Sequence, residues 1–82
     1  MPECIATFYT HAGAIVAHRA LTQAGIDARM MPVPRRISSS CGTCVRYAAE
    51  TPDAALFTQD FEALYRVEGR QYVKLLEAED PS

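Results

Sequence analysis

No run of apolar residues in this chain approaches the ~20 needed to span a bilayer, and residues 1–4 lack the basic start of a secretory signal. Those two absences set the expectation of a cytoplasmic protein with no membrane partner. Basic charge is short as well: eight Lys and Arg against ten Asp and Glu leave a formal net charge of -2. A global basic field of the kind that drives nucleic-acid binding is thereby excluded, and any anion site must be local. Internal repeats, low-complexity runs and long linkers are missing, and 82 residues suffice for one core but not two. Hydrophobic residues at 49% and charged residues at 22% argue against disorder, so one folded domain is expected, with its core over 4–76 and an acidic tail over 77–82. Cysteine is sparse and odd in number, three, where a secreted disulfide scaffold would show a dense, even set. Reduced thiols in a reducing compartment fit better.

What is present reads as one cycle of elements. Residues 4–9 (CIATFY) are rich in aromatic and β-branched types and predict a first, central strand. Thr10 is placed to cap a helix whose apolar stripe is Ala14, Ala17, Leu21 and Ala24, with Arg19 and Gln23 on the other side. Gly25 suits a left-handed helix end, with Ile26 folding back on Leu21 as in a Schellman motif. A second strand is predicted over 27–33, stopped by Pro32 and Pro34, and a third over 44–48 with Val45 and Tyr47 on one face. Thr51, Pro52 and Asp53 read as a helix start, and Ala54, Phe57, Phe61 and Leu64 as its stripe. Gly69 ends that segment, and 70–76 gives a last strand with Val73 and Leu75 inward. The expected fold is therefore α+β, a ferredoxin-like β-α-β-β-α-β with two helices on one face of an antiparallel sheet. The other face would be solvated or used for association, which makes a homodimer a reasonable expectation.

Chemistry concentrates between the second and third strands, where residues 34–44 read PRRISSSCGTC. A thiol becomes a nucleophile as thiolate, and arginine charge and exposed backbone N–H groups lower a cysteine pKa. Cys41 follows Ser38, Ser39 and Ser40 and precedes Gly42, a composition suited to a small-anion cradle. Arg35 and Arg36 are close enough in sequence to reach the thiolate or its ligand. The plain alternative is that serine-rich, arginine-bearing stretches are often only solvated loops. Cys44 completes a CxxC, a spacing used for dithiol redox work or for half of a metal site. Structural zinc needs four ligands, and Cys4, His11 and His18 do not supply a second knuckle, so no metal is assigned. A thioredoxin-type reading also fits poorly, because its CxxC opens a helix and a strand is expected after Cys44. Cys4 reads as a small buried hydrophobe, His18 as a surface residue, and His11 as a solvent-facing residue beside the helix cap. Their spacings do not make a Cys-His catalytic pair.

The run PRRISSSCG followed by VRY, preceded by IATFYTHAGAIVAHRALTQAGIDARMMPVP, resembles the selenium/sulfur carrier protein-like family of small bacterial proteins, long known as a domain of unknown function. The resemblance covers most of the chain, and its specific part is the P-R-x-I-S-S-S-C-G stretch. It implies that Cys41 accepts sulfur or selenium as a persulfide or selenosulfide, with Arg35, Ser38, Ser39, Ser40, Gly42 and Arg46 in the site. It also implies a cysteine desulfurase-type donor and a sulfur or selenium acceptor protein as partners, and no cofactor. Cys44 departs from the family pattern, in which small or apolar residues stand between the glycine and the third-strand arginine. That extra thiol suggests a resolving partner for Cys41. Two other readings stay open on the residues alone: a noncatalytic regulatory or small-anion-binding module, and a CxxC redox switch.

Overall fold

The computed structural model describes residues 1–50 and 54–78. Five strands and one helix follow in the order β1 (Glu3–Phe8), α1 (His11–Gln23), β2 (Ala28–Pro32), β3 (Thr43–Ala48), β4 (Phe61–Glu68) and β5 (Gln71–Glu77). The strands form one sheet in the order β2-β3-β1-β4-β5, with every neighbouring pair antiparallel. β1 is central, as its apolar sequence requires: five of its six residues are buried. β3 runs between β1 and β2 and antiparallel to both, so the β1-α1-β2 unit is split by the strand that follows it.

The helix forms as its sequence dictates. Thr10 takes the extended conformation of an N-cap, and its hydroxyl accepts from the Gly13 N–H at 3.1 Å. At the other end Gly25 has φ +80, the Gly25 N–H donates to Thr22 O at 3.0 Å, and the Ile26 N–H donates to Leu21 O at 2.9 Å. Those two bonds are the Schellman ending expected from Gly25 and Ile26. Ala14, Ala17 and Leu21 are buried against Cys4, Ala6, Phe8, Val45, Tyr47, Phe57 and Leu64, and Ala24 is the exposed C-cap. His18 reaches Ala28 O through Nε2 at 3.1 Å, so it also ties the helix to β2.

A second helix is absent among the described residues, which corrects the ferredoxin-like expectation to an α+β fold with one helix and a five-stranded antiparallel sheet. The predicted start at Thr51, Pro52 and Asp53 lies outside the described residues. The rest of that segment folds otherwise. Residues 54–57 make a single turn closed by the Phe57 N–H on Ala54 O at 3.0 Å, and the chain reverses at Asp60, whose φ is +54. From Phe61 onward Ala63, Tyr65 and Val67 alternate onto one sheet face, a period of two in an aromatic and β-branched run, and the chain extends. The helical spacing of Phe57, Phe61 and Leu64 arose because a turn and a strand deliver all three to one core. Phe57 packs edge-on to Phe8 (ring centroids 5.6 Å apart) and to Tyr47 (5.7 Å) and stacks on Phe61 (5.7 Å).

Gly13 allows that turn to approach the helix. A Cβ there would stand 2.7 Å from Gln59 O, so the backbone of 59–60 can lie against the first turn of α1 only because no side chain intervenes. Thr10 Oγ1 donates to Asp60 Oδ2 at 2.7 Å and fastens the same junction. β5 runs to Glu77, and the Ala78 N–H donates to Glu62 O at 2.8 Å, so the last strand extends into what the sequence suggested was tail. Leu75 faces the helix-side core and Val73 is half-buried.

Candidate functional site

The sheet face opposite α1 is covered in part by the thiol-bearing loop itself. Val33 N–H donates to Gly42 O at 3.0 Å and closes the base of the loop, while the Ile37 N–H donates to Pro34 O at 2.9 Å and tightens its first turn. Ile37 is the one buried side chain of residues 34–42, and it packs with Ile5, Cys44, Ala63 and Tyr65. A single apolar residue inside the polar run RRISSS thus anchors the loop. The strand stop expected at Pro32 is in place: Pro32 ends β2 on the edge of the sheet, opposite Thr43, where its missing N–H removes no interior ladder bond.

The three cysteines occupy three environments. Cys4 is fully buried beneath α1, and burial pushes its pKa up, so it is a core residue. Cys44 is fully buried on the opposite face, in the Ile37 cluster, and its thiol reaches toward Pro32 O at 3.8 Å. Its pKa is pushed up to about 11, first by burial and then by the neighbouring Cys41, with Arg46 pulling weakly the other way. Cys41 alone is partly exposed. Its sulfur accepts the Thr43 N–H at 3.4 Å and, as thiol, donates to Thr43 O at 3.3 Å. The sulfur is thus held from both sides by the Thr43 backbone.

The residues expected to hold an anion are distributed around the loop. Arg36 donates to Arg70 O at 2.7 Å, which clips the loop to the β4–β5 turn. Arg46 forms an ion pair with Glu3 through Nη2 and also donates from Nε at 2.8 Å. Ser40 Oγ donates to Glu62 Oε2 at 2.8 Å, and its N–H lies 3.4 Å from Oε1. Arg35 and Ser38 are exposed, Gly42 takes φ +74, and the Ser39 hydroxyl is buried without a hydrogen-bond partner among the described residues. Arg36, Arg46 and Ser40 are therefore occupied by protein groups, while Arg35 and Ser38 are exposed on the loop and the Ser39 hydroxyl is buried. Among the described residues no three His, Cys, Asp or Glu side chains gather as a metal site requires. No helix there is long and apolar enough to cross a membrane.

Ile37, Thr43 and Glu62 did not emerge from the sequence as site residues. Ile37 carried a signal, its isolation among polar neighbours. Glu62 carried none, because its contact with Ser40 spans 22 positions and depends on the β4 register.

Over the described residues, fold and loop together define an α+β arrangement with one helix that presents one partly exposed thiol on an anchored loop and keeps two others buried. Residues 3–59 match the family described as "Putative Se/S carrier protein-like", and the chain belongs to that family. The matched span holds α1, β1 to β3 and the whole thiol loop, and stops before β4. No curated protein and no solved structure gives a match.

Proposed function

We propose that this protein is a sulfur or selenium carrier whose working group is Cys41. The observation that carries the reading is the contrast between a partly exposed Cys41, whose sulfur accepts the Thr43 N–H, and a Cys44 fully buried in the apolar cluster of Ile37. In the transfer, the Cys41 thiolate attacks the outer sulfur of a donor persulfide. A new S–S bond forms at Cys41, the donor's S–S bond breaks, and the donor sulfur leaves as a thiolate that takes up a proton. Oxidant and reductant are not needed, since the outer sulfur keeps its oxidation state. A soft selenium atom follows the same path. The donor is a cysteine desulfurase-type enzyme and the recipient an acceptor protein with its own thiol.

Cys44 is the slower partner in this scheme. Its attack on the inner sulfur of a loaded Cys41 would join the two cysteines and expel hydrosulfide, a balanced exchange. Yet a thiol with a pKa pushed up to about 11 is almost wholly protonated at neutral pH, and buried besides. Attack by Cys44 on a loaded Cys41 is slowed accordingly. Incubation with cysteine and a pyridoxal-phosphate desulfurase should raise the protein's mass by one sulfur atom in wild type and not in Cys41→Ser. An unchanged wild-type mass, with a donor shown to be loaded, contradicts the reading.

A further inference from the structure

His11 and Thr43, 32 positions apart in the chain, meet beside the Cys41 sulfur: His11 Nδ1 lies 3.3 Å from Thr43 Oγ1, and the amide of the same Thr43 donates to Cys41 Sγ at 3.4 Å. We propose that His11 is a positioning residue for Cys41, acting through Thr43.

His11 opens α1 directly after the Thr10 cap, and that cap is held twice, by the Gly13 N–H and by Asp60. Thr43 opens β3 in register with Pro32. Both partners thus stand on fixed elements, whereas the sulfur they flank belongs to a loop. Between them and the sulfur lies Gly42 at φ +74, which does not by itself fix the peptide joining it to Thr43; that peptide is held on its carbonyl by the Val33 N–H at 3.0 Å, and Thr43 is its other anchor. That peptide carries the N–H aimed at Cys41. Holding the Thr43 side chain restricts its backbone torsions, and with them the direction of the N–H. The imidazole makes this bond in either state: neutral Nδ1 accepts from the Thr43 hydroxyl, and a protonated Nδ1 donates to it. Two carboxylates also stand at this end of the sheet, and both are engaged: Asp60 by Thr10 and Glu62 by Ser40. The use of this device in transfer rests on the carrier reading, but its effect on the sulfur does not.

The test is the rate at which iodoacetamide alkylates Cys41 in the full chain, resolved by peptide mass spectrometry. His11→Ala and Thr43→Val should each slow it roughly fivefold, about the worth of one ordinary hydrogen bond. The double variant should be no slower than either single one, and His11→Asn, which keeps a polar atom toward Thr43, should recover most of the rate. Wild-type rates in His11→Ala, or single effects that multiply in the double variant, overturn the proposal. So does a His11→Asn variant as slow as His11→Ala, which would assign the effect to imidazole charge. If wild type fails to load sulfur while this pattern holds, the carrier reading falls and the positioning role stands. The opposite pattern removes the positioning role alone.

Discussion

Ile37 and Cys44 share one apolar cluster: the only buried side chain of the 34–42 loop packs with Ile5, Ala63, Tyr65 and the fully buried cysteine of β3. The loop therefore presents one thiol and hides another with the same few residues. Truncating Ile37 should undo the second task. Ile37→Ala is expected to cost about 2 to 4 kcal/mol of stability and Ile37→Val about 1, on the pattern of buried aliphatic deletions. The informative readout is differential alkylation at neutral pH, in which Cys44 should become reactive in Ile37→Ala while Cys4, under the helix, stays protected. A Cys44 that remains inert in a folded Ile37→Ala protein would show that something other than Ile37 shields it.

Burial of Cys44 also has a thermodynamic signature. Its pKa rises on folding from an ordinary 9.0 to about 11, so the fold favours the neutral thiol. That contribution is fully present below pH ~9 and is lost as pH climbs through the folded value, a loss on the order of 2 to 3 kcal/mol for a two-unit shift. Cys4 is shifted in the same direction and adds to the slope. Urea midpoints measured from pH 8 to pH 11 should fall more steeply for wild type than for Cys44→Ala. Parallel slopes would mean that Cys44 ionises as easily in the folded protein as in the unfolded one.

Gly13 should reverse a familiar rule. Alanine for glycine inside a helix ordinarily stabilises by about 1 kcal/mol. Here the new Cβ would meet Gln59 O at 2.7 Å, a backbone atom that must shift along with the Thr10–Asp60 bond. Gly13→Ala is expected to destabilise by about 1 to 3 kcal/mol, the range of overpacking. A gain in urea midpoint would show that the 59–60 segment does not lie against the helix.

Local chemistry explains what the sequence disclosed. The Thr10 cap, the Gly25 and Ile26 ending, the proline stop at Pro32 and the alternation of Val45 and Tyr47 are each decided within a few residues, and each is where the sequence implied. The stretch after Ala54 is decided by distant partners. Phe57, Phe61 and Leu64 satisfy a helical period and a turn-plus-strand equally well, and only the β1 pairing of Phe61 and Leu64 selects the second. The same distinction runs through the site. Cys41 could be singled out from its serines and glycine, but Thr43, His11 and Glu62 reach the loop through contacts spanning from 2 to 32 positions, and hydrogen-bonding capacity that looked free in Ser40 and Arg36 is taken up by Glu62 and Arg70.

In the proposed transfer Cys41, and not Cys44, carries the transferred atom. The direct measurement is peptide-resolved mass spectrometry after loading from a persulfidated desulfurase, run side by side on wild type, Cys41→Ser and Cys44→Ser. The expected result is one added sulfur on the Cys41 peptide in wild type and in Cys44→Ser, and none in Cys41→Ser. Sulfur found on Cys44 in the Cys41→Ser protein, or loading lost in Cys44→Ser, would contradict the account.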